Sequence, residues 1–126
     1  MNFPENLKYT KDHEWLLIDG DNVTIGITDF AQSELGEIVY VDVDTEGEEV
    51  AAEEAFGSIE AVKTVSDLIT PVAITVNELN EALEDSPELV NEDPYGEGWI
   101  IKATLMDPSN MEGLLSAEEY KSLIKQ

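Results

Sequence analysis

Residues 57–71 read GSIEAVKTVSDLITP, and this stretch decides the fold of the chain. Apolar and polar residues alternate on both sides of Lys63, a pattern typical of two consecutive β-strands. The apolar positions are Ala55, Phe56, Ile59, Ala61 and Val62 before the lysine and Val65, Leu68, Ile69 and Val72 after it. A lysine between two such strands is expected at a hairpin tip, pointing into water. This position suits a carrier, because a modifying enzyme can close around the lysine.

The chain is strongly acidic, with 29 aspartates and glutamates against 6 basic residues, all of them lysines. Its formal net charge of −23 argues against binding to nucleic acid or to anionic membrane surfaces, whose phosphates attract basic proteins. The absence of arginine also removes the usual bidentate clamp for phosphate and carboxylate. The same charge permits steering toward basic patches on partner proteins, although solubility or adaptation to a salty habitat explains it equally well.

The residues needed for independent catalysis are scarce. The chain has no cysteine, which excludes disulfides, zinc–thiolate sites and cysteine nucleophiles. His13 is the single histidine, and no Ser–His–Asp set stands out. Neither a phosphate-binding glycine loop nor an HExxH zinc motif is present. The composition therefore favours a substrate or scaffold for other enzymes over an enzyme.

Length and composition indicate one domain spanning residues 1–126, with 42% apolar residues to form a moderate core. No apolar run approaches the roughly 18 residues of a membrane-spanning helix. The first residues, MNFPENLKYTKDHEW, lack the features of secretion signals and transit peptides. We expect a cytoplasmic protein, or a mature form without its targeting segment, and we expect a monomer.

Alternating patterns and turn signals predict a mainly β fold. Besides the hairpin, the predicted strands cover residues 9–18, 23–27, 38–43 and 99–105. A first helix is predicted from Thr28 or Asp29 to Leu35, ended by Gly36. A last helix begins at Ser116, where Glu119 completes a capping box. Residues 76–83 fit a strand or a helix, and many short strands together imply a sandwich or barrel with helices at its margin.

A resemblance to a known family rests on motifs that run nearly the length of the chain. They are YTKDHEW at 9–15, VTIGITDFAQSELGEIVYVD at 23–42, IEAVKTVSDL at 59–68, LEDSPELVNEDPYGEGWIIK at 83–102 and LLSAEEYKSLI at 114–124. Through them the chain closely resembles the H protein of the glycine cleavage system, a family of lipoyl carriers. HEW at 13–15 and NEDPYGEGW at 91–99 are the most specific of these motifs.

The resemblance implies a lipoyl-domain-like barrel-sandwich of two small antiparallel sheets with short helices, one at the C-terminus. It implies that lipoate is joined by an amide bond to Lys63, in the motif EAVKT at 60–64. It implies a non-catalytic shuttle that takes an aminomethyl group from a pyridoxal-phosphate glycine decarboxylase to a tetrahydrofolate-dependent aminomethyltransferase. The resulting dithiol goes to an FAD-containing dihydrolipoamide dehydrogenase, and a lipoate ligase or lipoyl transferase loads the lysine.

Three residues beside Lys63 are candidates for recognition of the hairpin by the loading enzyme. They are Glu60, Ala61 and Val62, which precede the lysine directly. Glu60 also fits an ordinary solvated strand residue. Ala61 stands where the family usually has serine, which is a mild departure.

The resemblance also implies a cleft in which the loaded arm docks, with Glu14, Ser66 and Asp67 as candidate lining residues. A carboxylate such as Glu14 is suited to pair with the cationic aminomethyl nitrogen and to shield the labile adduct from water. The alternative interpretation makes Trp15 a core residue and His13 a satisfied structural histidine.

The segment VAITVNELN at 72–80 departs most from the family pattern. Ala73 and Ile74 stand where a Ser-Gly pair is common, and Asn77 stands where an apolar residue is usual. Loss of the glycine removes an easy route to positive φ. We therefore expect either a different turn opposite the Lys63 hairpin or a shift of this segment in register.

Two alternative functions remain at the level of sequence. One is an H-like lipoyl carrier that serves lipoyl relay or another pathway. The other is an unmodified acidic module that binds calcium through Asp19, Asp21, Asp42 and Asp44, although their spacing is not that of an EF-hand.

Overall fold

The computed structural model describes residues 3–107 and 113–125. Within them the strands are β1 Lys8–Tyr9, β2 Glu14–Asp19, β3 Asn22–Ile27, β4 Ile38–Asp42, β5 Glu49–Val50, β6 Ala55–Ala61, β7 Val65–Ile69, β8 Ile74–Leu79 and β9 Ile101–Leu105. The helices are α1 Asp29–Leu35, α2 Ala82–Asp85, α3 Leu89–Glu92 and α4 Ala117–Ile124. The sequence also predicts a loop at 107–113, most of which lies outside the described residues.

The strands form two antiparallel sheets, as predicted. The larger sheet has the order β1-β2-β3-β9-β8-β5, and the smaller has the order β4-β6-β7. Buried side chains of both sheets, among them Ile25 and Ile74 of the larger and Phe56 and Ile59 of the smaller, form one core cluster. Burial of these apolar faces is the main stabilising contribution to the fold. The expectation of a mainly β fold with short helices, one of them C-terminal, is confirmed.

A second buried cluster packs the C-terminal helix against the start of the chain. Its members are Phe3, Leu7, Tyr9, Trp15, Ala117 and Tyr120. The rings of Tyr9 and Tyr120 stack with their centroids 5.0 Å apart. Ser116 and Glu119 form the predicted capping box at the start of α4. The end of the chain is therefore fixed onto the same part of the fold as the HEW motif.

Several predicted boundaries are wrong, for local reasons. The strand predicted at 9–18 is interrupted, because residues 10–13 form a turn in which His13 has a φ of 68°. The strand predicted from Trp99 begins at Ile101. Trp99 itself is half-buried, with the Lys102 Nζ 4.8 Å from its ring centroid, and so lies at the edge of the core. Residues 76–83 divide between the end of β8 and the start of α2.

The segment around Asn77 keeps its strand but shifts in register. The pairing of β8 with β9 changes between Val76 and Glu78, which places Asn77 at an irregularity of the β-bulge type. The Asn77 Nδ2 donates a hydrogen bond of 2.7 Å to Thr104 Oγ1 at the surface. The expected shift is therefore local, since Val76 stays buried and the strands remain paired on both sides.

Candidate functional site

Lys63 lies at the tip of the hairpin formed by β6 and β7, and its side chain is exposed. A hydrogen bond of 2.7 Å from the Ala61 N–H to the Thr64 carbonyl oxygen closes the tip. A second hydrogen bond, of 3.1 Å from the Val62 N–H to the Glu37 carbonyl oxygen, ties the tip to the loop after α1. The lysine is therefore presented to solvent from an anchored backbone.

The loop that anchors the tip is fixed in turn by Asn91. Its Nδ2 donates to Gln32 Oε1 at 3.0 Å and to the Gly36 carbonyl oxygen at 2.8 Å. Its Oδ1 accepts a hydrogen bond of 2.9 Å from the Ile38 N–H. Gly36 has a φ of 81°, and a Cβ at this position would lie 3.4 Å from Lys63 Cε. That distance is an ordinary van der Waals contact, so glycine is favoured here for its positive φ and not for space beside the lysine.

Two of the three candidates for hairpin recognition face solvent. Glu60 is exposed and Val62 is 70% exposed, whereas Ala61 is 4% exposed and belongs to the core cluster. The alternation of side chains along β6 explains the difference between Glu60 and Ala61. The Ala61 side chain therefore offers almost no exposed surface to a loading enzyme, and its part in recognition stays a prediction. Tyr40 and Val65 lie directly opposite Glu60 and are exposed, so they extend that surface.

Beside the hairpin, a cleft of about 120 Å³ lies between α1, the start of β2 and the strands β6 and β7. Its apolar lining consists of Ile27, Ala31, Leu35, Ile59 and Leu68. Its polar lining consists of Asp12, His13, Glu14, Glu34, Ser66 and Asp67. The structure thus brings Glu14, Ser66 and Asp67 together, although they come from separate parts of the chain.

Glu14 is the buried acidic group of the cleft, with only 2% of its surface exposed. Its Oε2 accepts a hydrogen bond of 2.8 Å from the Ile69 N–H, whereas its Oε1 is buried and has no hydrogen-bond partner among the described residues. Burial raises the pKa of the Glu14 carboxyl well above its usual value; the Ile69 hydrogen bond opposes this and the Asp12 charge adds to it. A buried oxygen without a partner marks a candidate ligand-binding group.

The HEW motif contains both packing residues and a cleft residue. Trp15 is 2% exposed, and its Nε1 donates a hydrogen bond of 2.8 Å to the Pro94 carbonyl oxygen. The two most specific motifs of the sequence are therefore in direct contact. The His13 Nδ1 lies 2.9 Å from the Tyr120 hydroxyl, and its ring packs 5.1 Å from that of Phe30. Trp15 is a core residue, as one interpretation of the sequence expects.

Sequence reasoning missed Asn91 and Gly36 as supports of the hairpin, and Thr28 and Tyr120 as residues next to the cleft. Asn91 opens the NEDPYGEGW motif, whose cluster of turn residues predicts a packed structural loop but does not indicate what the loop holds. Gly36 is recognised only as a helix terminator. Tyr120 carries no signal that separates it from an ordinary apolar position of an amphipathic helix.

The calcium alternative finds no site in the part of the chain that the structure describes. There, no group of three or more histidine, cysteine, aspartate or glutamate side chains is arranged to hold a metal ion. Asp19 and Asp21 lie at the β2–β3 turn, whereas Asp42 and Asp44 lie at and after the end of β4, in the other sheet. Within residues 3–107 and 113–125, no helix combines the length and apolar character needed to cross a membrane.

The fold and the site together define a class of protein: a small β protein that presents one lysine on an anchored hairpin beside a cleft with a buried carboxylate. The family model described as glycine cleavage H-protein matches residues 7–126. The chain belongs to this family.

Relatives and a solved structure agree with that assignment over almost the whole chain. The glycine cleavage system H protein of Bacteroides thetaiotaomicron is 58% identical over 124 residues, which cover 98% of each chain. That of Geobacillus kaustophilus is 54% identical over 126 residues, covering 100% of this chain and 99% of the relative. The crystal structure of a glycine cleavage system H protein from Mycobacterium marinum matches with a TM-score of 0.89 at 39% identity, covering 98% of this chain and 99% of that one.

Proposed function

We propose that the chain carries lipoate in amide linkage on Lys63 and acts as the carrier protein of the glycine cleavage system. The proposal depends chiefly on one observation: an exposed lysine on an anchored hairpin tip stands beside a cleft that contains a buried, unpartnered carboxylate oxygen. Family membership supports it. The lipoyl disulfide supplies one sulfur that takes the aminomethyl carbon of glycine and a second that becomes a thiol, chemistry that this cysteine-free chain lacks.

The residues of the cleft fit an apolar arm that ends in a cation. Leu35 and Ile59 offer apolar contact, and Glu14 Oε1 is free to accept a hydrogen bond from an ammonium-type nitrogen. A cation next to Glu14 lowers the pKa of the carboxyl and favours its ionised form. We propose that this pair holds the aminomethyl nitrogen away from water, with Ser66 and Asp67 lining the same cleft.

The outer surface of the hairpin is proposed to meet the partner enzymes. Glu60 and Val62 are exposed next to Lys63, and the net charge of −23 favours encounter with basic surfaces. The proposed partners are the lipoate ligase or transferase, the pyridoxal-phosphate glycine decarboxylase, the tetrahydrofolate-dependent aminomethyltransferase and the FAD-containing dihydrolipoamide dehydrogenase. The chain itself contributes no catalytic group in this scheme.

The direct test is glycine-dependent exchange of labelled CO₂ by a glycine decarboxylase. Lipoylated protein is expected to support the exchange, whereas unmodified protein and a reaction without glycine are expected to give only background. The unmodified chain is a close control, because it has the same surface and charge except at Lys63. Lipoylated protein that donates its lipoyl group to another enzyme but supports no exchange would favour the alternative of lipoyl relay.

Glu14→Ala is expected to increase the rate of ammonia loss from the aminomethyl-loaded arm by about ten-fold or more when tetrahydrofolate is absent. The reason is the loss of a charge-assisted hydrogen bond, worth about 1.5–3 kcal/mol, and the entry of water into the cleft. The measurement is ammonia release from purified, loaded protein. Glu60→Ala is the control, because it removes an exposed carboxylate that lies outside the cleft, on the hairpin that carries Lys63. Equal rates for Glu14→Ala and wild type would assign Glu14 a structural role.

The protection of the loaded arm against ammonia loss is expected to depend on pH, because Glu14 has a raised pKa and must be ionised to hold the cation. Only the ionised carboxylate pairs with the cation, so protection should decline as pH falls through the pKa that Glu14 has in the loaded protein, which the cation sets below that of the empty protein. In the empty protein the effect on stability is opposite: ionising a buried carboxyl is unfavourable, so stability falls as pH rises from the ordinary pKa toward the raised one. Glu14→Gln should remove this pH dependence both from the rate of ammonia loss and from the stability of the empty protein.

A further inference from the structure

Tyr120 connects the C-terminal helix to the cleft. It is fully buried, and its hydroxyl lies 2.9 Å from His13 Nδ1 and 2.8 Å from Thr28 Oγ1. Burial raises the pKa of Tyr120 to about 12, so the hydroxyl keeps its proton and can donate to one neighbour while accepting from the other. A single side chain of α4 therefore bridges two segments that are distant from it in sequence.

Each of the two partners of Tyr120 begins one wall of the cleft. His13 directly precedes Glu14 and adopts the left-handed conformation, with a φ of 68°. Thr28 is the N-cap of α1 and accepts a hydrogen bond of 3.1 Å from the Ala31 N–H. The Thr28 N–H also donates a hydrogen bond of 3.0 Å to the His13 carbonyl oxygen. A backbone hydrogen bond thus joins the residue before β2 to the N-cap of α1, and the Tyr120 hydroxyl contacts the side chains of both residues.

The positive φ of His13 explains why its contact with the Tyr120 hydroxyl matters for the cleft. A left-handed φ is uncommon for residues other than glycine, although histidine adopts it more often than most, and it persists where surrounding contacts hold it. Here the contacts are the Tyr120 hydroxyl, the Phe30 and Tyr120 rings with their centroids 5.1 and 5.8 Å away, and two backbone hydrogen bonds, from the His13 N–H to the Thr10 carbonyl oxygen and from the Thr28 N–H to the His13 carbonyl oxygen. Loss of the Tyr120 contacts would leave the ring of His13 held by Phe30 alone among these, so His13, and Glu14 next to it in the chain, would be less tightly fixed.

We propose that the Tyr120 hydroxyl is a positioning group for the cleft, which it serves by fixing His13 and thereby the direction of the Glu14 carboxylate. The inference rests on the proposed function, because it assigns a role to Tyr120 in protecting the loaded arm. It makes the C-terminal helix part of the carrier's working site, and it acts through His13 without contact between Tyr120 and the cargo.

The test compares Tyr120→Phe with Tyr9→Phe in the aminomethyl-loaded protein. Both changes remove one phenolic hydroxyl from the same buried cluster, and the Tyr9 hydroxyl donates a hydrogen bond of 2.6 Å to the Pro4 carbonyl oxygen, away from the cleft. Tyr120→Phe is expected to raise the rate of ammonia loss about five-fold, the equivalent of one hydrogen bond, whereas Tyr9→Phe should leave it unchanged. Equal acceleration by both variants, or none by Tyr120→Phe, would overturn the proposal.

A second readout separates positioning from general stability. His13 is the single histidine, so the imidazole-nitrogen NMR signals of the unmodified chain report on it alone. The Nδ1 resonance and the titration of the ring are expected to change in Tyr120→Phe and to match wild type in Tyr9→Phe. An unchanged His13 signal in Tyr120→Phe would also overturn the proposal. Wild-type protein that takes up no aminomethyl group would contradict the proposed function instead, and the His13 signals would still test the bridge.

Discussion

Lys63→Arg is expected to abolish lipoylation completely, so that the intact mass of the variant stays unchanged after incubation with a lipoate ligase, lipoate and ATP. Arginine keeps the positive charge and the length of the side chain, but its guanidinium is always protonated and does not offer a free amine for acylation. The wild-type chain is expected to gain one lipoyl increment. The change is all-or-none because the proposed attachment point is a single nitrogen atom.

Lys102→Arg is the matched control for this experiment. Lys102 is also an exposed lysine, but it lies within β9, with its Nζ over the Trp99 ring, and not at a hairpin tip. It should accept the same single lipoyl increment as wild type. An increment on Lys63→Arg would show that another lysine is used. No increment on any of the three proteins would show that the hairpin is not presented as the family pattern implies.

Trp15→Ala is expected to lower the free energy of unfolding by about 3–5 kcal/mol, a large part of the roughly 5–15 kcal/mol available to a domain of this kind. The indole is 2% exposed and packs against Gly26, where an added Cβ would lie 2.7 Å from three of its atoms. The change would also leave the Pro94 carbonyl without the donor that now satisfies it. Urea unfolding followed by circular dichroism measures the loss.

Trp99→Ala provides the comparison, because these are the only two tryptophans of the chain. Trp99 is half-buried and gains a cation–π contact from Lys102. Its removal is expected to cost about 1 kcal/mol, since less apolar surface is buried and less cavity remains. Each variant keeps one tryptophan as a fluorescent reporter of its own transition. Similar losses for the two variants would mean that the indole of Trp15 is not a main support of the second cluster.

The hairpin was predictable because the residues that indicate its two strands are close to one another in the sequence. Side chains of a strand alternate between two faces, and the apolar residues before and after Lys63 follow that period closely enough to place the lysine between two strands. The capping box at Ser116 and the end of α1 at Gly36 were predictable for the same reason, since each depends on residues within one helical turn.

The turn before Glu14 was not predictable from local pattern. The sequence from Tyr9 to Ile18 reads as one strand, and only the positive φ of His13 interrupts it. That conformation is held by contacts with Phe30 and Tyr120, which lie far away in sequence. The sequence therefore identifies Glu14 as a candidate through family resemblance, but its burial and its unpartnered oxygen become visible only in the folded chain.

The supports of the hairpin were missed for a related reason. Asn91 makes three hydrogen bonds, to Gln32 of α1, to Gly36 of the loop after it and to Ile38 at the start of β4, and no spacing rule connects position 91 with these positions. The motif around Asn91 is conspicuous in the sequence, yet its pattern of turn residues indicates only that a compact loop exists. Contacts between distant segments are set by tertiary packing, which residue periodicity does not encode.

The pairing of Ile59 with Ser66 in the hairpin limits how this protein can evolve in length. A single residue inserted within β7 ahead of Ser66 would turn every following side chain to the opposite face, moving Ser66 and Leu68 away from the cleft. Two inserted residues would keep each following side chain on its original face of the sheet and would only lengthen the hairpin. An odd change in strand length would therefore need a β-bulge to restore the faces, as near Asn77 in β8, whereas Val62, Lys63 and Thr64 lie between the two strands and are free of this constraint.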